Sequence, residues 1–216
     1  ATVSMTSRER VQAAFAHEEP DRVPCWCGAS PEFLAKAKRQ LGFTDTESLL
    51  VHLGDDFRRV HARYAGPEAR SPDRGLVPGA TGRSHFGVER HGFGCGMPMT
   101  HPQATATLAQ IHDHPWPDPA WMDVSHVRAE ALEWGRRYAI LGGDWSPFWH
   151  DATDLLGMEG LMLKMSDSPD VVDAVLGHVV DFYFEVSRRI FESATDALDV
   201  FFIGNDFGSR HGPLLS

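Results

Sequence analysis

The sequence FFIGNDFG at residues 201–208 gives the strongest indication of the fold class, because strand-forming residues lead directly into a Gly-Asn-Asp turn. Upstream of it the chain alternates apolar strand-like runs with segments of helical periodicity. Strand, helix, strand is typical of parallel α/β folds, whose working residues lie at the carboxyl ends of the strands. We therefore expect an α/β fold with residues 204–208 on its functional rim.

The composition indicates a globular protein and excludes some partners. The chain has 216 residues, 42% of them hydrophobic and 23% charged, which is enough for a sizeable core. Its formal net charge of -10 opposes binding to nucleic acid and to anionic membranes. It contains no apolar run of about 18 residues and no secretory h-region. We expect a cytoplasmic protein with no nucleic-acid or membrane partner.

Cysteines and histidines form no recognised site. Cys25, Cys27 and Cys95 are too few and too unevenly spaced for a disulfide scaffold, so we expect buried free thiols. The twelve histidines include no zinc spacing, and the sequence predicts no metal ligand. G-x-S-x-G, Walker A and strand-linked G-x-G-x-x-G motifs are also absent, which leaves hydrolase, kinase and Rossmann functions without support.

Capping signals and periodicity predict the elements. Thr6-x-x-Glu9 and Thr44-x-x-Glu47 have capping-box spacing, and Ser30-Pro31 is a cap followed by a first-turn proline. Residues 55–122 are rich in Gly and Pro and read as an irregular excursion, with a hairpin near residues 84–98. We expect helices at residues 6–17, 30–42, 44–53, 104–111, 124–138, 154–165 and 168–194, and strands at residues 23–28, 139–143 and 199–203.

Asp206 is the first candidate site residue. Gly204 and Gly208 flank it and let the backbone turn close to a ligand, where a carboxylate can accept a proton or orient a cation. Asn205 is expected to orient Asp206, and Arg210 follows as a possible ligand-binding arginine. The alternative is that Asp206 only caps a turn.

Two further segments carry candidates. Asp144, Trp145, Trp149 and His150 follow the strand at residues 139–143, where aromatic rings can form an apolar wall with polar anchors. The alternative there is packing under a loop.

Asp56 and Arg58 adjoin the end of a predicted helix. A second carboxylate can stabilise positive charge, and an arginine can bind substrate carboxylates. The alternative is a solvated loop held by local ion pairs.

Five segments in order carry a resemblance. MTSRERVQAAFAHEEPDRVPC, HLGDDFRRVHARYAGP, HPWPDPAW, LLGMEGLMLKMSDSPDVVDAVL and DVFFIGNDFGSRHGPLLS are similar to successive segments of the uroporphyrinogen decarboxylase superfamily. The resemblance implies a (β/α)8 TIM barrel, of which residues 5–216 supply the N-terminal portion of a single domain. Residues 1–4 are expected to be an extension without a role.

Departures from the family pattern favour one branch of the superfamily. The decarboxylases carry a loop close to M-R-Q-A-G-R, whereas residues 27–32 read CGASPE. The tyrosine that they place after the next core strand is absent from residues 144–156. The resemblance therefore implies a methyltransferase moving a methyl group to or from a corrinoid or a thiol.

In that branch Asp206 is expected as anchor or proton donor and Asp56 as second carboxylate, with zinc supplied by residues beyond Ser216. The implied partners are a small-molecule substrate, a corrinoid protein, and a second copy or complementing chain. A porphyrinogen-type decarboxylase and a non-catalytic tetrapyrrole- or partner-binding barrel stay as alternatives.

Overall fold

The computed structural model describes residues 4–70, 72, 81–92, 96–143 and 145–214. Its helices are α1 (Ser7–Phe15), α2 (Pro31–Leu41), α3 (Thr46–Leu53), α4 (Leu108–Asp113), α5 (Val127–Trp134), α6 (Phe148–Leu156), α7 (Met158–Asp167) and α8 (Pro169–Ala194). Its strands are β1 (Phe57–Arg59), β2 (Arg63–Tyr64), β3 (Thr81–Arg83), β4 (Glu89–His91), β5 (Met97–Pro98), β6 (Met122–Asp123), β7 (Ala139–Gly142), β8 (Val200–Phe201), β9 (Gly208–Ser209) and β10 (Gly212–Pro213).

The chain divides into two compact units. Unit 1 comprises Ala1–Ala62, Val124–Gly143 and Arg189–Phe202, and unit 2 comprises Arg63–Asp123, Asp144–Arg188 and Ile203–Ser216. The expected mixed α/β class is confirmed, and the strands of the described ranges form no closed barrel. The (β/α)8 barrel and the single domain stay predictions.

A parallel three-stranded sheet organises unit 1. Its order is β1-β7-β8, with β7 in the centre and all four β7 residues buried. The strands predicted at residues 139–143 and 199–203 are confirmed, although β8 is shorter than expected. A strand covered on both faces reads as a continuous apolar run, which is why Ala139–Gly142 was recognisable in the sequence.

Caps define the helices of unit 1 largely as expected. The Thr6 hydroxyl and the Glu9 carboxylate form a complete capping box at α1, and Ser30 caps α2, which ends at a left-handed Gly42. At α3 the predicted cap is wrong by one residue. Asp45, not Thr44, accepts from the Ser48 N–H group.

The strand predicted at residues 23–28 is wrong. This segment has no assigned strand, because its amide groups bond mainly to side chains. The N–H groups of Cys25 and Cys27 donate to the carboxylates of Asp56 and Asp55, at 2.9 and 2.8 Å. Only one backbone bond, from Asp56 N to Cys25 O, joins the two segments.

Unit 2 contains small antiparallel sheets and most of α8. The sheet β3-β4-β5 confirms the hairpin expected near residues 84–98, and β2 pairs with β6. Helix α8 begins and ends where predicted, with Val175, Val179 and Phe182 buried on one side. No helix in the described ranges is long and apolar enough to cross a membrane.

The helix predicted at residues 154–165 is wrong in its start and its continuity. Two helices, α6 and α7, cover residues 148–167, and they are separated at Gly157. Gly157 has a φ of +75°, a left-handed value that glycine adopts without steric cost. The earlier start of α6 brings several site residues onto a helix.

Candidate functional site

Two loop segments of unit 2 are fastened together by hydrogen bonds. The N–H group of Gly204 donates to the Trp145 carbonyl at 3.1 Å, and the Asn205 side-chain amide donates to the Ser146 carbonyl at 3.1 Å. The Asn205 amide oxygen accepts from the Trp149 N–H group at 2.9 Å. We call residues 145–150 and 203–207 together the rim cluster.

Asn205 positions helix α6. The N-cap residue of α6 is Pro147, which makes no side-chain cap bond, so the first-turn N–H of Trp149 needs a partner from elsewhere. Asn205 supplies it across 56 residues of sequence. The Asn205 amide therefore binds both the loop at Ser146 and the first turn of α6. This role differs from the expected one of orienting Asp206.

Backbone strain marks the same place. Ser146 is buried and has a φ of +49°, an uncommon value for a residue with a side chain. Strained residues of this kind persist where the surroundings hold them, and they cluster at functional sites. The hydrogen bond that the Asn205 amide donates to the Ser146 carbonyl helps to stabilise this backbone conformation.

Gly204 makes room for the Trp145 indole. A Cβ atom at Gly204 would lie 1.7 Å from Trp145 Nε1, which is far closer than two non-bonded atoms can approach. Any residue larger than glycine would therefore displace the indole. Trp145 keeps 39% of its surface exposed, and Ile203 and Phe207 are exposed as well. The rim cluster thus presents apolar surface to solvent, as expected for Trp145.

His150 and Asp206 form a polar pair in the rim cluster. His150 Nε2 lies 3.5 Å from Asp206 Oδ2, and the His150 ring centroid is 6.4 Å from that of Trp145. His150 Nδ1 is buried, and none of the described residues forms a hydrogen bond with it. The Asp206 side chain is 87% exposed, so it is accessible to a ligand but is not enclosed in a cavity.

Trp149 serves packing more than ligand contact. It is only 4% exposed, and its ring lies 5.6 Å from that of Phe207. Its placement matches the alternative of packing under a loop. Asp144, the remaining candidate in this segment, lies outside the described residues.

A buried polar cluster on α6 was missed in the sequence. Asp151 Oδ2 accepts from the Tyr183 hydroxyl at 2.5 Å, and Arg90 Nη2 lies 3.3 Å from Asp151 Oδ1 and also donates to Asp154. The Asp154 carbonyl lies 2.7 Å from His101 Nδ1. The spacing of His150, Asp151 and Asp154 on one helix face was the available signal, hidden because α6 was predicted to begin too late.

Asp154 differs electrostatically from an ordinary surface carboxyl. Burial raises its pKa, and the neighbouring Arg90, His150 and His101 side chains oppose that rise without cancelling it. His150 therefore has two carboxyl groups in electrostatic reach, one exposed and one buried. Perturbed buried groups beside a histidine are typical of catalytic sites.

Asp56 belongs to unit 1, and its oxygens are fully engaged there. The side chain is 0% exposed and accepts from Arg10 Nη1 at 2.6 Å, from Arg22 and from the Cys25 N–H group. Burial acts to raise the pKa of Asp56, but bonds from Cys25, Ser7 and Arg22 outweigh it and lower the pKa. The arrangement favours a structural role for Asp56.

The two candidate arginines are placed differently. Arg58 is buried, bonds to Glu47 at 2.7 and 2.8 Å, and lies 3.8 Å above the Tyr138 ring. These contacts indicate a structural role. Arg210 is exposed in the turn between β9 and β10, where its Nε lies 3.0 Å from His211 Nε2.

No protein-family model, curated protein or solved structure matches this chain. Among the described residues, no group of three or more His, Cys, Asp or Glu side chains is arranged to hold a metal ion. The rim cluster and the buried α6 cluster are therefore the candidate functional sites.

Proposed function

We propose that this chain is a methyltransferase of the uroporphyrinogen decarboxylase superfamily that moves a methyl group between a corrinoid and a thiol. Five ordered sequence segments support the family, and the decarboxylase arginine loop is missing from residues 27–32. The observation that carries the activity is the His150–Asp206 pair beside the exposed Trp145. A polar pair next to an apolar aromatic face suits a flat tetrapyrrole and a small reacting partner.

The described residues fit a corrinoid better than zinc. Trp145, Ile203 and Phe207 offer exposed apolar surface in the rim cluster, against which a macrocycle can pack. When bound, a corrinoid supplies a cobalt centre that carries the methyl group. The described residues do not fit zinc, so no step here runs through that metal.

His150 is the residue best placed to move a proton. A thiol acceptor must lose its proton to become nucleophilic, and His150 Nε2 can accept that proton while the thiolate takes the methyl group. The Asp206 carboxylate, 3.5 Å away, then stabilises the imidazolium. In the opposite direction the imidazolium returns the proton to the demethylated sulfur.

The test measures the rate at which the full chain transfers a methyl group from methylcobalamin to a small thiol. The absorbance of the corrinoid reports the reaction. We expect transfer by the parent protein and a loss of about 100-fold or more in His150→Ala, because a general base contributes at least that much. The matched control His52→Ala changes an exposed histidine of α3, outside the rim cluster, and keeps the parent rate.

Other results assign the alternatives. Release of carbon dioxide from uroporphyrinogen, without methyl transfer, would identify a decarboxylase. Corrinoid binding without turnover, unchanged in Asp206→Asn, would identify a non-catalytic binding protein. Equal methyl-transfer rates in His150→Ala and the parent would remove His150 from the chemistry.

A second variant tests the apolar surface. Gly204→Ala places a methyl group where the Trp145 indole lies, so the indole must move and corrinoid affinity is expected to fall. Gly177→Ala is the control, since a Cβ there meets nothing within 4 Å and alanine favours the helix. Tryptophan fluorescence quenching by cobalamin measures both, and equal affinities would argue against binding at Trp145.

A further inference from the structure

Cys25 and Cys27 lie in unit 1, away in sequence from the rim cluster, and both are free thiols. Cys25 is exposed and Cys27 is half-buried, so the expectation of buried core thiols is wrong for Cys25. Free cysteine is usually among the most buried residue types. Cys25 and Cys27 are therefore two accessible thiols in a C-x-C spacing, and both are available to bind a ligand.

Hydrogen bonds hold the two cysteines in an extended arrangement. Cys25 N donates to Asp56 Oδ2 at 2.9 Å, Cys27 N donates to Asp55 Oδ2 at 2.8 Å, and Asp56 N donates to Cys25 O at 2.8 Å. In an extended chain the N–H groups of residues two apart point to the same side. The two amides therefore indicate that residues 25–27 run extended along Asp55 and Asp56.

The positions of the neighbouring side chains also indicate an extended chain, in which successive side chains point to opposite faces. A Cβ built at Gly28 would lie 2.9 Å from Trp26 Cη2, so the Trp26 indole covers the face to which residue 28 points. Trp26 packs against Phe202, with ring centroids 4.9 Å apart. Because side chains alternate along an extended chain, Cys25 and Cys27 share the opposite face.

The spacing selects a shared ion over a disulfide. Residues two apart in an extended chain have Cα atoms roughly 6.6 Å apart, which is near the upper limit of the roughly 4.4–6.8 Å range of disulfides and above their usual value of about 5.5–6 Å. Two thiolates on one ion can be about 4.6 Å apart, twice a typical metal–sulfur bond length. Rotation of both side chains toward each other closes that difference.

We propose that Cys25 and Cys27 form a two-thiolate site for one thiophilic cation of the copper(I) class. Soft thiolates select such ions, and copper(I) is satisfied by two sulfur ligands. On binding, each S–H group releases its proton to solvent and each sulfur forms one bond to the metal. Cys25 Sγ, which lies 3.6 Å from the Val23 carbonyl, gives up that weak hydrogen bond.

The test is a copper(I) titration of the reduced full chain under anaerobic conditions, in competition with a chromophoric copper(I) chelator. We expect one ion per chain and protection of two thiols from a thiol reagent. Cys25→Ser and Cys27→Ser should each weaken binding by more than the roughly 10–100-fold typical of outer-shell changes. Cys95→Ser is the matched control and keeps the parent affinity and stoichiometry.

Contrary results are equally definite. Parent-like binding by the double variant Cys25→Ser/Cys27→Ser would overturn the site. One ion per two chains would show that single thiols bridge two copies instead. Far-UV circular dichroism of each variant confirms that it is folded, and the result does not depend on the proposed methyl transfer.

Discussion

Asp56 and Asp206 carry the same functional group in opposite environments. Both were predicted as site carboxylates, yet the Asp56 side chain is 0% exposed and that of Asp206 is 87% exposed. Asp56 joins Arg10 and Arg22 to the backbone of Cys25, whereas Asp206 lies 3.5 Å from His150 with most of its surface exposed. Asp56 is therefore a stabilising residue of unit 1, and Asp206 is accessible for binding.

Asp56→Asn is expected to destabilise the protein strongly. The substitution keeps the shape but removes the charge that Arg10 and Arg22 share, and breaking a buried ion pair costs about 3–5 kcal/mol. Asp21 still pairs with Arg10, so we expect a loss at the lower end of that range. Urea unfolding measures the loss in the free energy of unfolding. Asp196→Asn is the control, because its pair with Arg128 is exposed and should contribute nothing measurable. Equal small effects in both variants would contradict a structural role for Asp56.

Helix α6 depends on a distant residue for its start. Its sequence has no capping side chain at Pro147, and the partner for its first turn is Asn205. Local capping rules could not place the beginning of α6 for that reason. The same error hid Asp151 and Asp154, which become a buried polar face only once the helix starts at Phe148.

Helix α8 carries His178, which lies in a group of aromatic and histidine side chains whose protonation should affect stability. The His178 ring stacks on Trp116, with centroids 4.7 Å apart, and the buried His178 Nε2 has no hydrogen-bond partner within the described ranges. Burial and then His112 lower the pKa of His178, and Asp181 opposes them. Burial, then Arg70 and His178, lower the pKa of His114.

The free energy of unfolding should therefore fall as the medium becomes acidic. Because the folded-state pKa of His178 lies below its ordinary value of 6.5, the unfolded chain takes up the proton first. This stabilisation is complete above pH 6.5 and is lost as pH falls toward the folded-state pKa. Urea unfolding at a series of pH values measures it. His178→Phe keeps an aromatic ring and should reduce the slope, so an unchanged slope would exclude His178.

At the scale of the whole molecule, stability is expected to be uneven. The four buried residues of β7 lie between two parallel strands, and Asp199 Oδ2 accepts from the Ile140 N–H group at 2.9 Å. The β9–β10 hairpin is mostly exposed, and Pro213 has no N–H group to contribute.

Hydrogen exchange should separate these two regions. We expect the β7 amides to exchange among the slowest in the chain and those of β9 to exchange rapidly, because burial and central pairing raise the free energy of local opening. Exchange followed by mass spectrometry of peptides covering each strand gives the comparison. Equally rapid exchange in both would show that the parallel sheet is not the stable centre of unit 1.

Several local features of the structure follow from short stretches of sequence. The capping box at α1, the end of α2 at Gly42, the buried face of α8 and the continuous apolar run of β7 depend on neighbouring residues. Each was predictable because capping, periodicity and glycine conformation act over a few residues.

The pairing of distant polar groups depends on how the chain packs and could not be read from local sequence. The bonds from Cys25 to Asp56, from Trp149 to Asn205 and from Arg90 to Asp154 join residues 31, 56 and 64 positions apart. Whether a carboxylate is buried and saturated or exposed beside a histidine depends on which distant segments pack around it. That is why Trp145, His150 and Asp206 could be named as candidates from the sequence, whereas the α6 cluster and the burial of Asp56 could not be predicted.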